Sequence, residues 1–192
     1  MIFTYLAATL PYLALGKSPP ITIDDFRTSC SGLLNDPQLR DLDRLLDGKS
    51  GFCETPFGQA WSDLETQIIN ECARKRRPGL AKKLRMHRGY SVLAREMVQD
   101  AFNRETPQER EWVLDRGRFL LLENLAGPGS LGLERILAFA GQLGLVHRWA
   151  QFDEKRGRKR FQDLVEETVK EVRSEEPGTR KEERGTRSEP GK

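Results

Sequence analysis

Ser-Leu-Gly-Leu-Glu-Arg-Ile-Leu-Ala-Phe-Ala-Gly-Gln-Leu-Gly-Leu-Val-His-Arg-Trp-Ala, residues 130–150, is the stretch that decides the fold. Leu133, Ile136, Leu137, Ala140, Leu143, Val146 and Trp149 recur every three or four residues and make an apolar face too broad for a helix lying on a surface. The spacing predicts a central helix, with Ser130 as its cap and Gly141 and Gly144 as places where a neighbour packs closely. A helix buried in this way needs other amphipathic helices around it, and the flanking sequence supplies them.

Upstream, Gly127-Pro128-Gly129 breaks the chain, and before it Thr106, Pro107 and Glu109 form a capping box ahead of Trp112, Val113, Phe119, Leu120 and Leu122. A further helix is expected from about Leu84 to Phe102, with Tyr90, Ala94, Met97, Val98 and Ala101 inward and Gly89 as its weak point. Thr55-Pro56 opens another, in which Phe57, Trp61, Leu64, Ile68 and Cys72 trace one stripe. It ends in Arg74-Lys75-Arg76-Arg77, cations that suit the partial negative charge of a helix C-terminus. Asp36 and Pro37 start a short helix through Leu39, Leu42, Leu45 and Leu46 that stops at Gly48. Thr22 caps one carrying Ile23, Phe26, Cys30, Leu33 and Leu34. The opening MIFTYLAATLPYLALG reads as the first buried segment of the fold: no Lys or Arg precedes the apolar run, Pro11 interrupts it, and it is too short to span a bilayer.

Downstream, Phe161, Leu164, Val165, Thr168, Val169 and Val172 mark a last helix, and residues 173–192 lack apolar side chains altogether. Such a polyampholyte cannot offset its ordering entropy by burial. No window alternates convincingly over strand length. The expected architecture is all-α: an irregular multi-helix bundle over residues 1–172, followed by a disordered charged C-terminal tail over 173–192.

Composition narrows the function classes. The 192 residues carry 32 Lys and Arg against 29 Asp and Glu, a net charge of +3. So small an excess argues against a protein whose affinity comes chiefly from neutralising phosphates, and any such role must be local. Cys30, Cys53 and Cys72 are odd in number and form no Cys-x-x-Cys pair, which suits reduced, structural thiols in the cytoplasm.

The chemistry-bearing patterns are sparse. Gly16-Lys17-Ser18 and Gly48-Lys49-Ser50 lack the glycine five residues earlier that a phosphate-cradling loop needs, since Pro11 and Asp43 stand there. His87 and His147 have no second histidine or cysteine at ligand spacing, so neither a metal site nor a serine or cysteine nucleophile with its base is expected. No acidic pair stands out as isolated in apolar surroundings. Catalytic residues, cofactor and metal ligands are therefore not assigned. Two basic clusters remain: Arg74–Arg77 with Lys82, Lys83, Arg85 and Arg88, and Lys155, Arg156, Arg158, Lys159 and Arg160. Without helix-turn-helix spacing, a zinc finger or a base-stacking pattern, the clusters suit a contact surface for an acidic protein partner at least as well as one for nucleic acid. Arg74, Arg76, Arg77, Lys155, Arg156 and Arg158 are its candidate residues. The alternative is a helical nucleic-acid-binding protein using the clusters at 74–88 and 155–160.

Taken in order, Tyr5-Leu6, Leu10-Pro11, Gly16 and Pro19-Pro20, then Phe26, Cys30, Trp61, Glu71 and Arg74, then Leu114-Asp115, Arg118-Phe119, Leu143–Trp149, Gly157 and Phe161 resemble an uncharacterised bacterial family encoded within V-type ATPase operons. That family is itself similar to the central-stalk C or d subunit. The most specific part is the opening AATLPYLALGKSPP. The likeness spans about residues 3 to 165, is weak between Gly79 and Arg104, and ends before the tail. It implies a non-catalytic cytoplasmic component of a rotary ATPase, an adaptor contacting other protein subunits where the rotor stalk meets the membrane ring. Its contact with the membrane would then be indirect, through the complex.

Overall fold

The computed structural model describes residues 2–49, 51, 53–77, 79, 84–152, 162–166 and 168. Among the described residues about 70% are helical and no strand occurs. Among the described residues up to Phe152 the helices are, in order, α1 (Ile2–Thr9), α2 (Ile23–Ser31), α3 (Asp36–Leu46), α4 (Pro56–Arg76), α5 (Val92–Phe102), α6 (Pro107–Ala126) and α7 (Leu133–Ala150). The chain divides into two units, Met1–Gln151 and Phe152–Lys192. In the second, residues 162–166 and 168 are helical. The boundary drawn at 172 from composition falls within that unit, and residues 173–192 lie outside the described residues.

The central helix is α7. Every residue from Ile136 to Leu143 is buried, so this part of the helix is enclosed on all sides, by α3 and α6 chiefly and by α1 and α4 at its margins. Close approach to α3 depends on Gly144: a Cβ there would run into the Leu46 carbonyl, with its carbon 3.0 Å away. At Gly141 the neighbour is Leu122 of α6. Phe26 of α2 meets Phe139 with ring centroids 4.9 Å apart, which fixes α2 on the same core.

Three helix starts follow the expected chemistry. Thr22 accepts from the Asp25 N–H at 3.1 Å, Thr55 from Gly58 at 3.0 Å, and Thr106 and Glu109 form the reciprocal box. Three differ. Asn35, not Asp36, caps α3, because its carboxamide takes the Gln38 N–H at 3.1 Å while Gln38 returns a bond at 3.0 Å. Asp36 instead supplies negative charge to the first turn. The helix expected from Leu84 begins only at Val92, capped by Ser91. Gly89 has φ +67°, which breaks the helix, and the preceding backbone is claimed by side chains of α4. Asn70 accepts from Arg85 N–H at 3.0 Å and donates to its carbonyl at 2.8 Å. Gln67 does the same for Ser91 at 2.8 and 2.7 Å, and Asp63 accepts from Arg88 N–H at 3.0 Å. These side chains bind the segment as a neighbouring strand would, and Tyr90 points outward instead of inward. Finally, α7 starts at Gly132 without a side-chain cap, so Ser130 does not serve.

The opening segment is buried only in part. Ala7 and Leu13 enter the core, whereas Tyr5 and Tyr12 are more than 80% exposed. Among the described residues no helix is long and apolar enough to cross a membrane.

Cys30, Cys53 and Cys72 are buried, unpaired thiols. Burial pushes Cys30 from 9.0 up to about 12. The neutral thiol is the form the fold favours, so this contribution is complete below about pH 9 and is lost as pH rises towards 12. Replacing Cys30 by serine or alanine should therefore flatten the alkaline fall in stability, as urea denaturation at stepped pH would register.

Candidate protein-docking groove

Between α4 and α6 runs a groove of about 410 Å³. Its floor is apolar, formed by Ile68, Cys72 and Ala73 from α4 and Leu114 from α6, with Ile69 along one wall and the charged Glu111 and Arg118 of α6 also in the lining. Arg76 and Arg77 line one end, where α4 terminates and the chain leaves helical geometry. Both are exposed, and among the described residues neither has an acidic partner. Arg74, the third cation singled out in this run, is drawn to Glu71 at 2.6 Å and does not line the groove. Lys155, Arg156 and Arg158 lie outside the described residues.

Beneath the groove is a charged cluster centred on Arg118, which also lines it. Arg118 of α6 is held between Glu65 of α4, at 2.7 and 3.3 Å, and Asp115 of its own helix, at 3.0 Å. Asp115 is fully buried and also pairs with Arg148 and accepts from the Trp149 indole at 2.8 Å, both on α7. Trp149 in turn packs edge-on against Trp112, centroids 4.9 Å apart. The sequence singled out no acidic pair; Glu65 and Asp115 are the two that the fold brings onto Arg118. The spacing that carried the information is the i, i+3 pair Asp115 and Arg118 on either side of a stripe holding Leu114, Leu121 and Leu122. Burial works against the Arg118 charge, but the Glu65 carboxylate and its hydrogen bond outweigh that, and the guanidinium is raised above its ordinary value. Asp115, Arg118 and Trp149 converge here.

A second buried carboxylate, Asp41 of α3, accepts from the Glu54 and Thr55 N–H groups at 3.0 and 2.7 Å and from the Thr55 hydroxyl at 2.7 Å. It anchors the loop leading into α4. His147 contacts the Ile21 carbonyl at 3.2 Å, tying α7 to the loop before α2. Among the described residues no group of three His, Cys, Asp or Glu is placed to hold a metal ion.

Residues 89–172 match the family described as "Protein of unknown function (DUF2764)". The match covers less than half of the chain and names no activity. No curated protein and no solved structure matches. It takes in α5, α6 and α7, and with them Asp115, Arg118, Arg148 and Trp149, whereas Glu65 and the basic end of α4 lie before it.

Chemically, the groove suits a segment offering aliphatic side chains to the floor and carboxylates to Arg76 and Arg77. Burial raises the Cys72 thiol and outweighs the opposing pull of Arg118 and Arg76, which favours its neutral form. A smaller hollow of about 270 Å³ between Tyr12 and Leu120 offers less: its charges, Arg135 and Glu123, are already paired at 2.6 Å.

Proposed function

We propose that the protein is a non-catalytic structural or assembly component of a bacterial V/A-type rotary ATPase. It serves as a cytoplasmic adaptor comparable to the central-stalk C or d subunit, and it docks an acidic, amphipathic segment of another subunit in the α4–α6 groove. The observation that carries this reading is the pairing of an apolar floor with Arg76 and Arg77, two exposed cations without acidic partners among the described residues. An apolar floor alone would be an ordinary seam between helices; adding free charge at one end gives it polarity and a preferred partner. The resemblance to the V-type ATPase operon family supplies the class of partner.

Affinity purification of the full chain from native membranes, under conditions that keep rotary complexes whole, is expected to recover stalk or ring subunits. Arg76→Glu/Arg77→Glu should reduce that recovery at least tenfold, since reversing charges at a docking rim replaces attraction by repulsion. Recovery of no ATPase subunit by the unaltered protein would overturn the proposal.

A further inference from the structure

Nine of the 32 Lys and Arg residues, and none of the 29 Asp and Glu, fall between Cys72 and Arg95. The remainder of the chain is therefore net negative, and this stretch is the larger of its two basic clusters. Its later part is also unusually apolar at the surface. Met86 is 95% exposed, and Tyr90, Val92 and Leu93 each keep more than half of their surface in water.

A slack loop could turn such side chains inward. This one is held out, because its backbone is fastened to α4 at Arg85, Arg88 and Ser91 by Asn70, Asp63 and Gln67. The Tyr90 hydroxyl accepts from the Arg95 guanidinium at 3.4 Å, which sets a cation beside an exposed ring. The acidic groups nearby are few: Glu96 is exposed on α5, Asp63 is engaged by the Arg88 N–H, and Glu71 is paired with Arg74.

Bare aliphatic and aromatic tips interleaved with arginines match the boundary of a bilayer, where apolar groups enter beside the acyl chains and guanidiniums meet lipid phosphates. A nucleic acid would use the same arginines, yet it has no partner for Met86, Val92 and Leu93, and Tyr90 is the only exposed aromatic here for a base to stack upon. We infer that the strip from Arg85 to Arg95 is a contact surface for an anionic lipid bilayer. This contact is direct, and it does not depend on the α4–α6 groove.

The full chain is sedimented with vesicles of phosphatidylcholine alone and of phosphatidylcholine mixed equally with phosphatidylglycerol, with circular dichroism confirming that each variant is folded. Binding is expected only to the mixed vesicles and should weaken as salt rises. Arg85→Glu/Arg88→Glu should lower it about tenfold or more. Met86→Asp/Leu93→Asp should lower it comparably, although the strip remains basic. Failure to sediment with the mixed vesicles would overturn the proposal. So would binding that ignores Met86→Asp/Leu93→Asp while duplex DNA competes for it, since that marks a site for any polyanion.

Discussion

Arg118→Ala is expected to lower the stability of the protein by about 3–5 kcal/mol, the cost of removing one partner from a buried ion pair. Arg118 is only 18% exposed and reaches Glu65 with two nitrogens and Asp115 with a third. Its removal strands two carboxylates unequally. Asp115 retains Arg148 and Trp149, whereas Glu65 loses the guanidinium that compensates its charge. Arg118→Lys should recover less than half of the loss, because an ammonium cannot serve Glu65 through two nitrogens and reach Asp115 as well. Urea denaturation of the three proteins reads both effects, and the slope with urea should stay unchanged if the bundle still unfolds as one unit. An Arg118→Ala midpoint equal to that of the parent would mean the cluster is solvated and does not join α4, α6 and α7.

Gly144→Ala is expected to cost roughly 1–3 kcal/mol, and Gly144→Val more, through overpacking of the α3–α7 contact. Its added Cβ meets backbone, the Leu46 carbonyl carbon at 3.0 Å and Cα at 3.2 Å, and a carbonyl cannot swing aside as a long side chain can. The two helices must separate, and the enclosed run Ile136–Leu143 loses contacts along its length. Gly32 provides the control: nothing lies within 4 Å of a Cβ there and its φ is −86°, so Gly32→Ala should leave stability unchanged or raise it slightly. Equal thermal midpoints for the two variants would refute the close packing of α3 on α7.

These effects mark how far the fold was legible in the sequence. Periodicity located α7 and its central place because Leu133, Ile136, Leu137, Ala140 and Leu143 repeat at helical spacing, a pattern that needs no knowledge of neighbours. Thr-Pro pairs at 55–56 and 106–107 gave helix starts for the same reason: their chemistry is local. What escaped was set by groups distant in sequence. Nothing between Leu84 and Ser91 announces that Asn70 and Gln67, on a helix 15 to 24 residues away, take its backbone hydrogen bonds. Asp115 looked like one acid among many until α4 and α7 brought Glu65, Arg148 and Trp149 around it and Arg118. The groove was half visible. Arg76 and Arg77 stood out as a basic helix end, but the apolar floor between Cys72 and Leu114 exists only once α6 lies beside α4.

The central claim is that the α4–α6 groove receives a segment of another rotary-ATPase subunit. A photoreactive amino acid placed at Ile69, on the wall of the groove, tests this most directly when the full chain is irradiated in native membranes. Cross-links from Ile69 to an acidic stretch of a stalk or ring subunit, lost in Arg76→Glu/Arg77→Glu and absent from a probe at exposed Leu131, are the predicted result. Cross-links to ATPase subunits from Leu131 but none from Ile69, or none from either position, would contradict the account.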